Sequence, residues 1–394
     1  MSGRRRLVAA LAVSLAVQTL TAMGLAVPSV LAPVAASDFD VAPTALGRWV
    51  GFAYMIAMFA GLAGGTLVGR YGPSRVHQAA VLGVALGLAT GAGAQLALLL
   101  LCGLFLGAAH GLVNPASSAI LAAASPPRIR SMVFSIKQTG VPLGGAIAGL
   151  LVPALLLWMS WQAAVLALAI GAAVLLVLVV RHDPADDAAR RLERLRLRSF
   201  AAPVAEVWAN RPILELAAVS GVYSAIQISF LTYLVSYLKL ELGYSLVAAG
   251  VVFAVAQISG AAGRVLWGVV ADHFLEPRSV LASLGLVMVV CGGALASLNP
   301  AWPQAAVVGV CVLYGATAVG WNGVFLAEVA RLAPEGRVAY LTGGTQFFTF
   351  AGVLIGPPLF GAIASVTGSY GAGFVVTAAL PLLVVVPMLA RRGP

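Results

Sequence analysis

The sequence predicts an all-α membrane protein of twelve transmembrane helices, arranged as two pseudo-symmetric six-helix bundles. Composition is the first reason: 61% of the 394 residues are hydrophobic and 9% are charged, which is too little polar surface for a water-soluble globule. An internal repeat is the second reason, and it predicts two bundles related by a parallel pseudo-twofold axis with a polar site between them. Identical residues recur 208 positions apart at Gly107 and Gly315, Asn114 and Asn322, Pro126 and Pro334, Gln138 and Gln346, and Gly144 and Gly352.

Apolar runs of about 20 residues or more predict the membrane spans. In the first half these runs lie near residues 7–34, 46–69, 76–97, 98–123, 131–157 and 160–181. In the second half they lie near residues 212–238, 246–271, 278–298, 303–331, 339–366 and 370–390. The expected organisation is therefore a first bundle over residues 1–181, a cytoplasmic linker over 182–211 and a second bundle over 212–394. In the linker, Leu192, Leu195 and Leu197 alternate with arginines, which fits either a short surface helix or a solvated tether.

Basic residues indicate the orientation, because Lys and Arg in short loops resist translocation. With a cytoplasmic N-terminus, nearly all of them fall in cytoplasmic segments, and only Arg48 and Lys239 fall outside. We expect a multi-pass protein of the inner membrane with both termini in the cytoplasm. The net charge of +10 then reflects topology and contact with anionic lipids, and it requires no nucleic-acid partner. The N-terminal apolar run fits a first span better than a cleaved signal peptide, since its removal would leave an odd number of spans.

Two loops carry short motifs at equivalent places in the two halves. The first reads Gly65-Thr-Leu-Val-Gly-Arg70-Tyr-Gly72-Pro-Ser-Arg75, and the second reads Gly268-Val-Val-Ala-Asp272-His273-Phe. With the linker between them, these motifs resemble those of the major facilitator superfamily, and the resemblance covers the whole chain. It implies the fold of that family and transport by alternating access.

The same resemblance implies a cytoplasmic gate that includes Arg70, Arg75 and Asp272. The chain departs from the family pattern at Gly69, where the first motif normally has an acid, so Asp272 is the better gate candidate. An alternative for the two arginines is that they are ordinary anchors under the positive-inside rule. Glu328 is close in sequence to Arg331 and to a cytoplasmic end, so we expect it to pair there as part of the gate.

Arg264 is the principal candidate for substrate binding. It lies eight residues before Asp272, about 12 Å along a helix, and a charge at such depth costs roughly 3 kcal/mol. Its context, Gly263-Arg264-Val-Leu-Trp-Gly268, resembles helix 8 of the monocarboxylate transporters and of the oxalate/formate antiporter. That resemblance implies that Arg264 binds a substrate carboxylate. The alternative is a structural arginine, bound by backbone carbonyls or paired with an acid of helix 10.

Other polar residues in the spans extend the predicted substrate pathway. Lys137 is a second cation, which either lines the pathway or snorkels to the nearby surface. His110 shares a helical face with Asn114 and is either a proton carrier or a hydrogen-bonded packing residue. The amides recur between the halves, and their alternative is hydrogen bonding within one bundle. These amide pairs are Gln138 with Gln346, Asn114 with Asn322, and Gln18 with its near mate Gln227.

The sequence therefore predicts a secondary active transporter for a small organic anion, such as a carboxylate, driven by proton symport or anion exchange. The first six spans carry no embedded acid, which disfavours multidrug or metabolite efflux by proton antiport. A non-transporting membrane sensor on the same scaffold is a further alternative. The isolated Cys102, Cys291 and Cys311 lack metal-ligand spacing. We expect no enzyme activity, cofactor or metal, and a monomer whose partners are substrate, protons and lipid.

Overall fold

The computed structural model describes residues 3–124, 130–180, 198–333 and 338–390. Within these ranges the regular secondary structure is helical, and ten helices are long and apolar enough to cross a membrane. The all-α membrane fold is therefore confirmed. Two compact units form: Met1–Val41 with Phe52–Leu195, and Ala42–Gly51 with Arg196–Pro394. The boundary between residues 195 and 196 falls inside the predicted linker, whose Leu192, Leu195 and Leu197 lie outside the described residues.

In the part of the first half that the structure describes there are seven α-helices. They are α1 (Gly3–Ala35), α2 (Leu46–Tyr71), α3 (Pro73–Gly91), α4 (Leu96–Ala124), α5 (Arg130–Gln138), α6 (Gly140–Leu155) and α7 (Trp161–Val180). Helix α1 packs on α6 and α4, and α3 packs on α4 and α7. Two short 3-10 helices, Ala36–Phe39 and Pro43–Ala45, connect α1 to α2. Six predicted spans thus become seven helices, because the fifth span is interrupted at Thr139.

The described residues of the second half form nine helices. They are α8 (Arg198–Ala209), α9 (Arg211–Leu240), α10 (Leu246–His273), α11 (Pro277–Ser297), α12 (Gln304–Ala318), α13 (Asn322–Leu332), α14 (Val338–Thr367), α15 (Tyr370–Ala379) and α16 (Leu382–Ala390). Helix α8 lies in the predicted linker. Helices α9 and α14 pack on each other, as α1 and α6 do in the first half, and α10 packs on α12. The tenth span is divided into α12 and α13, and the twelfth into α15 and α16.

Prolines account for two of the three interruptions. Pro142 has no N–H to donate to the carbonyl of Gln138, so the chain turns at Thr139 before α6 begins. Pro381 acts in the same way between α15 and α16. The break between α12 and α13 contains Gly320 but no proline, and its cause lies in side-chain contacts described below.

Repeated glycines set the register of the two α1/α6-type packings. A Cβ at Gly144 would collide with the carbonyl oxygen of Thr19, and one at Gly352 would collide with that of Gly221. Such close approach of backbones is the usual reason for glycine in membrane helices. The packing therefore matches residue 19 with residue 221, so Gln18 corresponds to Ser220. The expected pairing of Gln18 with Gln227 is wrong, because Gln227 lies seven residues, about two turns, further along its helix.

Candidate functional site

In the first unit, Lys137 and Asn114 are brought into contact at the break of the fifth span. Lys137 lies in the last turn of α5, and its ammonium donates a hydrogen bond to Oδ1 of Asn114 on α4. The lysine side chain is 3% exposed. This burial disagrees with the snorkelling alternative. Among the described residues, the partner of the ammonium is a neutral amide rather than a carboxylate.

His110 lies one turn before Asn114 on α4. Its ring meets that of Tyr54 on α2 edge-on, with ring centroids 5.7 Å apart. Its Nδ1 is buried and has no hydrogen-bond partner among the described residues. Tyr54 was not expected at this site, and nothing in the sequence around it indicates the contact. The role of His110 as a proton carrier stays a prediction.

Gln18 and Gln138 lie on either side of the same break. The Cβ and Cγ of Gln18 pack against Gly140, the first residue of α6, and Gln138 is the last residue of α5. Gln18 is fully buried, and both atoms of its amide lack hydrogen-bond partners among the described residues. The break therefore gathers amides as well as the lysine. Gln346, the repeat mate of Gln138, is half-buried within the uninterrupted α14.

In the second unit, Gln227 of α9 holds the residues that follow the break in the tenth span. Its Oε1 accepts one hydrogen bond from Nε1 of Trp321 at 3.0 Å and another from Nδ2 of Asn322 at 3.3 Å. Trp321 is fully buried and Gln227 is 6% exposed. The structure thus brings together two of the predicted amides, Gln227 and Asn322, through a tryptophan that precedes α13.

Arg264 contacts the other side of the same break. Its Nε donates to the carbonyl oxygen of Val319 at 3.2 Å, just beyond the last residue of α12. Three residues further along α10, Nε1 of Trp267 donates to the carbonyl of Ala316 at 2.7 Å. Carbonyls at a helix C-terminus are unsatisfied and carry partial negative charge, so they attract such donors. Arg264 is half-buried, and this contact with a backbone carbonyl belongs to the structural alternative stated for it.

An ion-pair cluster lies at the predicted cytoplasmic end of the second unit. Glu328 is fully buried and accepts from Nε of Arg331 at 2.6 Å and Nη2 of Arg331 at 2.7 Å. Nε of Arg278 adds a third contact at 3.3 Å. The hydrogen bonds and the charge of Glu328 raise the pKa of the Arg331 guanidinium above its usual range. A cavity of about 440 Å³ opens beside these residues. The pairing expected between Glu328 and Arg331 is present, whereas Arg278 was not singled out.

The other gate candidates are less well defined. Arg70 is exposed, with its guanidinium carbon 5.4 Å from the centroid of the Tyr71 ring. Arg75 is exposed in the first turn of α3. The side chain of Asp272 lies outside the described residues. A gate formed by these residues stays a prediction.

Comparison with known proteins gives the same family as the sequence motifs. The family model described as Major Facilitator Superfamily matches residues 14–350. The chain is 27% identical over 274 residues to the hexuronate transporter of Bacillus subtilis, which covers 65% of this chain and 63% of that protein. It is 33% identical over 150 residues to monocarboxylate transporter 13 of Rattus norvegicus, which covers 38% and 34%. It is 26% identical over 379 residues to a probable sulfoacetate transporter of Cupriavidus necator, which covers 89% and 86%.

Two solved structures show the likeness in three dimensions. A bacterial homologue of the human lysosomal transporter Spinster, inward-facing and occupied, gives a TM-score of 0.76 at 15% identity, covering 96% of this chain and 95% of that one. The nucleoside transporter NupG gives 0.78 at 12% identity, covering 97% and 100%. At such identities the likeness shows the fold alone. The chain also spans somewhat less than two thirds of the hexuronate transporter that it matches.

The resemblance inferred from the loop motifs and from the segment around Arg264 is therefore confirmed. A family model covers most of the chain, and the helices are long and apolar enough to cross a membrane repeatedly. The chain is a multi-pass membrane protein that belongs to the Major Facilitator Superfamily.

Proposed function

We propose that this chain is a secondary active transporter that moves a small organic anion, most simply a carboxylate, across the inner membrane by alternating access. Proton symport or anion exchange supplies the driving force and balances the charge. The residues that we propose for substrate binding are Lys137 and Asn114 of the first unit, and Arg264, Gln227 and Asn322 of the second. The protein acts as a monomer with both termini in the cytoplasm.

The observation that carries the proposal is the environment of Lys137. A buried ammonium is costly unless an opposite charge and hydrogen bonds compensate it. The structure supplies the neutral amide oxygen of Asn114, with the lysine side chain 3% exposed. A bound carboxylate would provide the missing countercharge, and it would be held by charge-assisted hydrogen bonds.

The names of the relatives support the same substrate class. Hexuronate, sulfoacetate and monocarboxylate are all small organic anions. Arg264 fits this class as well, because the N–H donors of a guanidinium form a planar fork that matches the geometry of a carboxylate. Two cations on membrane helices therefore favour an anionic substrate over a cationic drug.

His110 is the residue that we propose for proton coupling. Imidazole changes its charge in the physiological pH range, and Nδ1 of His110 is buried without a partner among the described residues. It lies one turn from Asn114, the residue that holds the Lys137 ammonium. Proton movement at His110 would therefore be sensed by the same cluster that we propose for anion binding.

The test is uptake into proteoliposomes loaded with the purified protein. A panel of radiolabelled acids (a hexuronate, an aromatic acid, a short monocarboxylate and a sulfonate) is presented with and without an inward proton gradient, and with an anion trapped inside. We expect at least one acid to accumulate, and the gradient or the trapped anion to increase that accumulation. Efflux of cationic drugs coupled to protons, without uptake of any acid, would favour the multidrug alternative. No flux of either kind would favour a sensor.

A further inference from the structure

We propose that Trp321 is a positioning residue that converts Gln227 into a pure hydrogen-bond donor, so that Gln227 selects the oxyanion group of the substrate. The inference rests on the anion transport proposed above and adds the residue that distinguishes a carboxylate from its uncharged carboxamide. It depends on contacts within the second unit.

The indole fixes the orientation of the Gln227 amide. The oxygen and nitrogen of a glutamine amide look alike in shape, so their assignment normally follows from hydrogen-bond partners. Indole Nε1 can donate a hydrogen bond but cannot accept one. The amide atom 3.0 Å from Nε1 of Trp321 must therefore be the oxygen of Gln227.

A second donor completes the use of that oxygen. Nδ2 of Asn322 lies 3.3 Å from Oε1 of Gln227. A carbonyl oxygen has two lone-pair directions, so the two contacts use its accepting capacity. The remaining amide group, Nε2, carries two N–H donors and has no hydrogen-bond partner among the described residues. Since Gln227 is 6% exposed, these donors lie on a side chain that is otherwise buried.

Trp321 is itself held against rotation. Its ring packs perpendicular to that of Tyr223 at 5.7 Å and lies 5.5 Å from that of Phe325. The hydroxyl of Tyr223 donates to the carbonyl of Leu281 on α11 at 2.6 Å. The indole is fully buried between these neighbours, so its N–H keeps one direction. The orientation of Gln227 is therefore imposed from behind, by residues that need not touch the substrate.

This arrangement has a consequence for substrate choice. A glutamine that is free to flip can present either its oxygen or its amino group, so it can bind hydroxyls, amides and carboxylates alike. A glutamine that presents donors alone fits a carboxylate or sulfonate oxygen, whereas a substrate N–H facing it leaves buried donors unpaired. Sites built in this way reject the wrong analogue strongly, because the unpaired polar groups are costly.

The experiment measures uptake of the acid identified by the panel and its competition by the matching carboxamide, in wild type and in Trp321→Phe. Phenylalanine keeps an aromatic ring but removes the N–H. We expect the KM for the acid to rise about tenfold, as for loss of a hydrogen bond to a charged group, with the maximal rate within about twofold. The acid-to-carboxamide preference should fall by a similar factor.

Trp267→Phe is the matched control, since it also loses an indole hydrogen bond, in this case to the carbonyl of Ala316. It should leave the acid-to-carboxamide preference unchanged. Adding Trp321→Phe to Gln227→Leu should produce no further loss of preference, because residues that act through one another are not additive.

Gln227→Glu gives an independent test if Trp321→Phe does not fold. A glutamate retains an oxygen for Trp321 and Asn322 but offers no N–H donor at neutral pH, so uptake of the acid should be lost while the protein remains folded. If Trp321→Phe takes up the acid as the wild type does and keeps the same acid-to-carboxamide preference, the inference is overturned but the proposed function stands. Acid uptake retained by Gln227→Glu would have the same consequence. Absence of acid uptake by the wild type would instead overturn the proposed function.

Discussion

The second span (α2) packs on α4 through glycines, whereas the eighth span (α10) packs on α12 through hydrogen-bond donors, although the two halves derive from one repeat. A Cβ at Gly107 of α4 would collide with the carbonyl of Ala53, and one at Gly315 of α12 would collide with that of Ala256. These contacts match residue 53 with residue 256, and so match Gly61 with Arg264 and Gly64 with Trp267. In α2 the two glycines lie against Gly111 and Pro115 of α4. In α10, by contrast, these positions carry hydrogen-bond donors.

This difference explains why the tenth span is broken between α12 and α13, whereas its counterpart α4 is continuous. Helix α4 continues from Leu96 to Ala124 with Pro115 inside it, so a proline alone does not break this span. In the second half, Trp267 and Arg264 bond to the carbonyls of Ala316 and Val319. In a continuous helix these carbonyls would accept from residues 320 and 323. Side-chain donors inserted into the backbone ladder are a known cause of kinks, and here they separate α12 from α13.

In the fifth and eleventh spans it is the first half that has the broken helix and the second half that has the continuous one. Pro142 interrupts the fifth span, whereas its counterpart in the repeat, Phe350, lies within the continuous α14. Each half therefore has a broken span next to one of the repeated asparagines. In the first half it is the fifth span, which lies against Asn114, and in the second half it is the tenth span, which contains Asn322. Asn114 accepts from a lysine, and Asn322 donates to a glutamine. The duplication preserved where the polar residues lie and changed what they do.

The largest expected effect comes from removing the cations. Lys137→Gln and Arg264→Gln should each reduce acid uptake about a hundredfold or more, because each removes a charge-assisted contact worth about 3 kcal/mol. Uptake rates in proteoliposomes, normalised to folded protein, measure the effect. Lys239→Gln is the control, since Lys239 is the other lysine of the chain and lies at the end of α9. If either variant transports at the wild-type rate, that half does not contribute a cation to substrate binding.

The second-largest expected effect is on stability, at a position that is charged in the second half and apolar in the first. Glu328 corresponds in the repeat to Ile120, which packs in an apolar cluster with Ala10, Leu121 and Val133. Glu328→Gln should lower the free energy of unfolding by about 2 kcal/mol, because Arg331 and Arg278 lose a buried charged acceptor. Thermal unfolding in detergent measures the change. An unchanged Tm would show that the cluster adds no stability.

The repeat made much of this molecule predictable from sequence. Composition and apolar runs predict the ten helices of the described residues that are long and apolar enough to cross a membrane. The spacing of 208 pairs Asn114, which is exposed, with Asn322, which is half-buried. The helix breaks were harder to predict from the sequence. Nothing in the run from Gly315 to Glu328 indicates that Arg264 and Trp267 would reach its carbonyls. Such contacts depend on the register between two helices, which sequence periodicity leaves open.

The mistaken pairing of Gln18 with Gln227 has the same origin. Their similar spacing, 209 positions, made them appear equivalent, yet the close contacts of Gly144 and Gly352 set the offset of these helices at 202. The loops between repeats differ in length, so one offset cannot serve all helices. Likewise, the burial of Lys137 follows from the break after Gln138, which directs the last turn of α5 toward Asn114.

A smaller effect should separate the two repeated asparagines. Asn114→Ala leaves the buried Lys137 ammonium without its partner, so the KM for the acid should rise about tenfold. Asn322→Ala leaves Gln227 Oε1 still bonded to Trp321, so its KM should rise only about two- to threefold. Uptake kinetics of both variants, measured side by side, test the asymmetry. Equal kinetics in the two variants would contradict the different roles assigned to this pair.

The smallest expected effect tests the cause of the break in the fifth span. Pro142→Ala restores an N–H that can donate to the Gln138 carbonyl, so α5 and α6 should join into one helix as in α14. A gain of about 1 kcal/mol or less in stability should accompany slower uptake, because Lys137 would then turn away from Asn114. Thermal unfolding and uptake rate are measured on the same preparation.

Pro153→Ala is the matched control, because Pro153 lies within the same α6 without interrupting it. It should change the Tm by a similar amount while leaving uptake at the wild-type rate. If Pro142→Ala also transports at the wild-type rate, the Lys137 to Asn114 contact does not depend on the break. The two halves would then differ in helix geometry without differing in how they hold their asparagines.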